Sequence, residues 1–278
     1  MLKKPDWLRV PYYNNKSSEQ VTELIKELNL NTVCAEANCP NQTECFSKKT
    51  ATFMILGTNC TRKCTFCSVS YGKPEPVDEN EPERVAAAVK KLNLRYAVIT
   101  SVTRDDLQDG GALHFSNVIK AIQKASPETV VEVLIPDLTE ITAITEASPA
   151  VIGHNIETIE ALYPDVRPEA DYTRSLKVLK RVKELSTDIY TKSGLMLGLG
   201  ESRDEILKTF DDLLDAGCNF LTLGQYLSPS KKHYPVKEYV EPKLFDEYKR
   251  VAEEKGFSYV ASAPLVRSSY KAEEALTT

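Results

Sequence analysis

"FMILGTNCTRKCTFC", residues 53–67, decides how the rest of the chain is read. It opens on a short apolar run, 53–57, of the kind that forms a strand covered on both faces. It closes on Cys60, Cys64 and Cys67, three thiols within eight positions. A strand that hands its chemistry to the loop just beyond its C-terminal end is the arrangement of a parallel α/β barrel.

Five further apolar runs follow: "AVITSV" (97–102), "VVEVLI" (130–135), "AVIGHNIE" (150–157), "SGLMLG" (193–198) and "FLTLGQY" (220–226). Amphipathic stretches alternate with them. "EPERVAAAVKKL" carries Pro82 in its first turn and sets Val85, Val89 and Leu92 on one face. "SRDEILKTFDDLLDAG" pairs Ser202 with Glu205 as a capping box and ends at Gly217. "EPKLFDEYKRVAEEKG" repeats the plan between Pro242 and Gly256, and "SLKVLKRVKEL" is a further amphipathic stretch. Six strand–helix units predict an α/β fold, a partial (β/α)6 TIM-like barrel with N-terminal and C-terminal extensions. The expected divisions are 1–50, 51–257 and 258–278 within a single domain. Polar residues then gather at one rim: the cysteines after the first strand, "TRDD" (103–106) after the second, Asp137 after the third, Asn155 and Glu157 at the fourth, and Gln225 at the sixth.

The 278 residues carry a net charge of −5 with acids and bases mixed, which argues against a nucleic-acid partner. Pro5, Asp6 and Pro11 interrupt any apolar leader, and no run approaches a membrane span. A soluble, cytoplasmic protein is expected. Six of the seven cysteines lie between residues 34 and 67. Such clustering in a cytosolic chain points to metal or redox chemistry rather than a disulfide framework. Cys218 reads as a small buried hydrophobe. His114 and His154 read as structural, and His233 as a surface-loop residue with no assigned role.

Thiolates suit iron–sulfur clusters and zinc. A closed zinc site takes four ligands, commonly as two short pairs. C-x3-C-x2-C offers three, enough to hold three irons of a four-iron cluster and leave the fourth open to a small molecule. The alternatives are a zinc knot or a plain electron-transfer cluster. With Phe66 before the last cysteine, after the first strand of a βα barrel, the motif resembles the radical S-adenosylmethionine superfamily.

A second set, "CAEANCPNQTEC", spaces Cys34, Cys39 and Cys45 as C-x4-C-x5-C, and "RSSY" (267–270) stands near the end. From residues alone the tail reads as a mobile polar terminus. Together with "ANCPN", "VITSVTRDDLQDGGA", "GHNIET", "KSGLMLGLGE" and "PLVRSSY", these motifs resemble the lipoyl synthase family over nearly the whole chain. The resemblance implies two [4Fe-4S] clusters and S-adenosyl-L-methionine. Cys60, Cys64 and Cys67 would hold the first cluster. Cys34, Cys39, Cys45 and Ser269 would hold an auxiliary one, with Ser268 as the fallback serine and Arg267 stabilising charge on the serine oxygen. A hard alkoxide matches iron in a sulfide cluster less well than thiolate, so that bond is expected to be labile.

The implied reaction inserts two sulfur atoms, drawn from the auxiliary cluster, at C6 and C8 of a protein-bound octanoyl-lysine chain. Such C–H bonds are not acidic, so cofactor chemistry is required. By analogy with biotin synthases, Asn155, Glu157 and Arg174 are the expected cofactor contacts, with Thr103 and the stretch 198–201 expected to contribute to the same cofactor pocket. Arg174 reads equally as part of a solvated helix face. The implied partners are an octanoylated lipoyl carrier domain or H protein, a flavodoxin- or ferredoxin-type electron donor, and an iron–sulfur cluster carrier. Arg62, Lys63, Lys231 and Lys232 are the expected basic docking spots for an acidic carrier. Rival readings are another sulfur-inserting radical enzyme of the biotin synthase kind and a non-catalytic iron–sulfur or zinc protein.

Overall fold

The computed structural model describes residues 3–10, 16–48 and 50–276. Its main sheet has eight strands: β1 (Asn31–Thr32), β2 (Thr52–Ile55), β3 (Tyr96–Ser101), β4 (Val130–Leu134), β5 (Val151–Gly153), β6 (Tyr190–Leu197), β7 (Phe220–Gln225) and β8 (Tyr259–Ser262). The chain folds as two compact units. One is Val10–Arg62 with Ser68–Ile152; the other is Met1–Arg9 with Lys63–Cys67 and Gly153–Thr278.

In the first unit, β2 pairs parallel with β3 (Thr52 opposite Val98) and β3 with β4 (Tyr96 opposite Val130). β1 pairs antiparallel with β2, Asn31 opposite Met54. In the second unit, β6 pairs parallel with β7 (Lys192 opposite Phe220) and β7 with β8 (Phe220 opposite Tyr259). Neighbours follow chain order in each unit without reversal. That is the singly wound order of a barrel, not the reversing order of a doubly wound sheet. The fold is mixed α/β with a mostly parallel sheet, as the strand–helix alternation predicts.

The strands form where they do because they are buried. All four residues of β2 and all six of β7 are covered, so both read as mainly apolar runs. β5 is shorter than its apolar run suggests and ends at Gly153. Residues 154–157 nevertheless stay beside β6. His154 N–H donates to Lys192 O (2.9 Å), Glu157 N–H to Gly194 O (2.9 Å), and Met196 N–H to Glu157 O (2.9 Å). The six expected strands are joined by a seventh parallel one, β8, inside the expected C-terminal extension. Only Val260 of its four residues is buried, so no apolar run announces it.

Helix ends follow their capping chemistry. Ser202 and Glu205 form the reciprocal box that opens helix Arg203–Asp215. Asp171 caps helix Tyr172–Leu185 by accepting from Arg174 N–H. Helix Pro242–Lys255 starts on its proline and ends at Gly256, whose φ is +121°. Ile206, Phe210 and Leu213, together with Phe245, pack over Leu195, Leu197, Leu221 and Leu223 as the core of the second unit. Among the described residues, no helix is long and apolar enough to cross a membrane.

Beyond β8 the backbone folds onto the strand tips of its own unit. Ala263 N–H donates to Leu223 O (3.2 Å), and Gln225 N–H donates to Pro264 O (3.1 Å). Tyr270 N–H closes a turn on Arg267 O (2.9 Å). The polar terminus is therefore seated, not loose. Gly224 makes the seat: a Cβ there would lie 2.2 Å from the backbone oxygen of Val266. Gly224→Ala should displace the tail or cost about 1–3 kcal/mol of overpacking. Urea unfolding and trypsin cleavage near Lys271 would measure this; an unchanged midpoint with an unchanged cleavage rate would refute it.

Candidate functional site

The cysteine loop begins at a strained turn. Leu56 has φ +68° and Gly57 +93°. Leu56 N–H donates to the buried Glu81 carboxylate (2.9 Å), which His114 Nε2 also contacts (2.7 Å). Leu56 O accepts from the Arg104 guanidinium (3.0 Å), and Arg104 is itself held bidentate by Asp106 at 2.8 Å twice. Thr58 and Asn59 both donate to Glu75 (3.1 and 2.9 Å). Both peptide groups of the strained residue are thus anchored, which is how an unfavourable φ persists.

Cys60 follows. Its Sγ accepts from two backbone N–H groups, those of Arg62 and Thr103, each at 3.4 Å. Thr103 O takes both the N–H (3.1 Å) and the hydroxyl (3.0 Å) of Thr61. Thr103 therefore meets the cysteine loop through its backbone. Arg62 turns inward. Its Nε and Nη2 donate to Asp105 at 2.8 and 2.7 Å, and its Nη1 to Asp137. The side chains of Arg62 and Asp137 are 11% and 1% exposed. Burial opposes the Arg62 charge, yet Asp105 and Asp137 outweigh it and raise its pKa. This corrects one expectation: Arg62 is not a docking spot, because two aspartates already hold it. Lys63, Lys231 and Lys232 are exposed as expected.

The rest of the loop belongs to the second unit. Thr65 N–H donates to Val166 O (3.0 Å), its hydroxyl to Asp165 O (2.7 Å), and its carbonyl accepts from Tyr234 N–H (2.8 Å). Phe66 packs against the buried trio Val166, Leu199 and Tyr226. Cys67 N–H closes back on Cys64 O (3.2 Å).

Cys34, Cys39 and Cys45 share two short helices, Val33–Glu36 and Gln42–Ser47, and the bend between them. Cys39 N–H donates to Cys34 O (3.0 Å), and Gln42 N–H to Cys39 O (3.2 Å). Burial pushes the Cys34 thiol from 9.0 up to about 11; Thr52 opposes this and Cys39 adds to it. Burial, then the nearness of Cys34 and Cys39, push Cys45 up to about 12. The structure thus brings the three together. Cys34 and Cys45 favour the protonated form until something positively charged replaces the proton, which fits a metal cluster. Among the described residues, no three His, Cys, Asp or Glu side chains converge on a single-ion position. Cys218 is buried, bonded through its thiol to Phe220 O (3.3 Å), as a small core residue would be.

At the strand tips of the second unit, Asn155 and Glu157 come together with the tail. Asn155 Nδ2 donates to Glu157 Oε1 (3.1 Å) and to Ser268 Oγ (2.7 Å). Asn155 Oδ1 is buried and has no hydrogen-bond partner. Glu157 sits at φ +65°. Burial raises its pKa, and Arg167, Asn155 and Arg267 pull it back. Arg167, unremarked in the sequence, is buried here. Its Nη1 reaches Asn155 O (3.2 Å), Ser175 Oγ (3.3 Å) and Tyr163 Oη (2.9 Å), and its guanidinium lies 5.1 Å from the Tyr163 ring centroid. Arg174 is exposed in the first turn of its helix, where the sequence reading left its role open. Glu201 carries the "GLGE" loop, accepting from the N–H groups of Gly198 and Leu199, the latter at 2.9 Å. His233 bonds Ser230 in an exposed loop.

The Radical SAM superfamily profile matches residues 54–213. A protein of Caldicellulosiruptor saccharolyticus named lipoyl synthase is 59% identical over 276 residues, spanning 98% of this chain and 97% of that one. One of Alkaliphilus metalliredigens with the same name is 55% identical over 278 residues, spanning 99% and 96%.

The chain belongs to the lipoyl synthase family.

Solved structures agree on the fold of this lipoyl synthase homologue. Methylornithine synthase (PylB) aligns with TM-score 0.56 at 12% identity over 79% of this chain and 73% of that one. Streptococcus suis SuiB bound to S-adenosylmethionine aligns with TM-score 0.59 at 14% identity over 88% and 60%.

Two outcomes follow from the site. Arg62→Met strands the buried Asp137 carboxylate and should cost about 3–5 kcal/mol in urea unfolding. Adding Asp137→Asn should recover much of that loss, and a double variant no more stable than the single one would refute the pairing. In cluster-free protein, folding prefers the Cys34 and Cys45 thiols protonated. Stability they contribute is full below the unfolded value of 9.0 and is lost as pH climbs toward about 11 and about 12. The fall in urea midpoint above about pH 9 should be smaller in Cys45→Ser than in the parent; equal slopes would count against it.

Proposed function

We propose that this enzyme inserts two sulfur atoms at C6 and C8 of an octanoyl chain amide-linked to a lysine of a lipoyl carrier domain or H protein. The observation that supports this most is near full-length identity of 59% to a lipoyl synthase. Cys60, Cys64 and Cys67 would hold one [4Fe-4S] cluster, and Cys34, Cys39, Cys45 and Ser269 the auxiliary one. When bound, these clusters and S-adenosyl-L-methionine supply the radical chemistry and the sulfur.

The chain's own residues then have distinct tasks. The two N–H groups on Cys60 Sγ fix the position of its sulfur at the start of the loop. The Arg62 clamp on Asp105 and Asp137 fixes the backbone that carries one of those N–H groups. Asn155, Glu157, Thr103 and Arg174 are the proposed cofactor contacts. The buried, unpartnered Oδ1 of Asn155 fits a ligand hydroxyl donor. Ser268 is occupied by Asn155, which supports Ser269 as the iron ligand beside Arg267. The proposed division into 1–50, 51–257 and 258–278 assigns the auxiliary ligands to the two extensions. A flavodoxin- or ferredoxin-type donor would reduce the enzyme, and a cluster carrier would restore it, in the cytoplasm.

Anaerobic incubation of an octanoyl-lysine peptide with loaded enzyme, dithionite and S-adenosylmethionine tests the reaction. Mass spectrometry should show a product gaining two sulfurs and losing two hydrogens. Cys34→Ala, Cys39→Ala and Cys45→Ala should each lower bound iron from about eight to about four per chain and abolish that product. Full product yield from any of the three would overturn the assignment.

A further inference from the structure

We propose that Ser268 is a positioning residue for the cofactor pocket: its hydroxyl fixes the amide of Asn155, so seating of the C-terminal tail and binding of S-adenosylmethionine are coupled. The inference rests on the assignment of Asn155 to the cofactor.

The amide nitrogen of Asn155 contacts both Glu157 Oε1 and Ser268 Oγ. Glu157, when ionised, can only accept, so the edge of Asn155 facing it is the NH2 group. The second N–H of that group goes to Ser268 Oγ at 2.7 Å, shorter than the 3.1 Å contact to Glu157. Both donors are thereby spent on one side. Oδ1 is left beside Gly194, buried and without a partner. An unmet buried acceptor costs free energy, and a ligand hydroxyl repays that cost on binding.

The surroundings fit this arrangement. Gly194 has no side chain, and a Cβ there would stand 2.9 Å from each of three oxygens: Asn155 Oδ1, Ser268 Oγ and Thr222 Oγ1. Only a bare backbone leaves room for the serine and the amide together. Arg167 holds the Asn155 carbonyl from the other side, so the main chain is fixed and only the side-chain amide remains to be set. Gly224 admits Val266 and Arg267 to the neighbouring strand, which delivers Ser268 to Asn155. Without the Ser268 oxygen, one N–H of the amide loses its acceptor, and rotation that points Oδ1 elsewhere becomes cheaper.

Coupling is reciprocal: whatever the tail adds to cofactor affinity, the cofactor adds to tail seating. Equilibrium dialysis of S-adenosylmethionine against the oxidised, cluster-loaded enzyme reads the first half without turnover. Ser268→Ala should bind roughly three- to tenfold more weakly, the worth of one hydrogen bond, and Ser268→Thr, which keeps the oxygen, should bind nearly as the parent does. Unchanged affinity in Ser268→Ala would overturn the proposal. Asn155→Ala separates the two layers. If it weakens binding while Ser268→Ala does not, the coupling alone fails; if it binds normally, the cofactor assignment fails and takes the coupling with it. The second half needs no variant. In the wild-type enzyme, saturating S-adenosylmethionine should slow trypsin cleavage at Arg267 and Lys271 several-fold, and an unchanged rate would overturn the proposal.

Discussion

The arrangement at the tips of β6 and β7 depends on two missing side chains. Gly194 and Gly224 leave the strand backbone bare, and the chain returning from β8 lies directly on it. A methyl group at either position would meet oxygen atoms at 2.9 Å or 2.2 Å. These glycines are needed for close approach, since neither has a positive φ. Their absence of bulk converts a polar terminus into a fixed part of the site, with Ser268 on Asn155 and Arg267 near enough to Glu157 to oppose the rise in its pKa.

Around the cysteine loop the same problem is solved with charge instead of space. Leu56 and Glu157 both adopt positive φ, and neither is a glycine. Each costs of order 1–3 kcal/mol unless its surroundings over-determine it. Leu56 is held by Glu81 at its nitrogen and by Arg104 at its oxygen. Glu157 is held by a two-sided backbone bridge to β6 and by the Asn155 amide. Both strained residues lie just past the end of a parallel strand, where the barrel order places reactive groups. The strain is local, and the groups that sustain it are buried and mostly paired, which keeps the loops in one conformation.

What the sequence disclosed follows from range. Strands covered on both faces announce themselves, since β2 and β7 are buried throughout and, apart from Thr52, Thr222 and Gln225, are apolar or glycine. Capping is equally local, and the Ser202–Glu205 box appears where its spacing predicts. β8 escaped because three of its four residues are only partly covered. Arg62 was misjudged for a different reason. Its partners, Asp105 and Asp137, lie 43 and 75 residues away, and nothing in "CTRKC" tells a buried guanidinium from an exposed one. Arg167 and Arg174 make the same point in reverse. They are seven positions apart by number, yet one is buried against Tyr163 and the Asn155 carbonyl, and the other is exposed on a helix end. Motif resemblance draws attention to residues, but it does not show which guanidinium is buried.

The contrast between Ser268 and Ser269 carries the argument one step further. Ser268 and Ser269 are the two central residues of the turn that Tyr270 N–H closes on Arg267 O. Ser268 is committed to Asn155. If Ser269 is the iron ligand, a single peptide unit joins the residue that orients the cofactor amide to the residue that must let go of iron. The Tyr270–Arg267 hydrogen bond closes the turn that carries both serines, so a shift of that turn moves both. Tail and pocket would then move as one body, and the adjacency of the two serines becomes a mechanical requirement, not a redundancy.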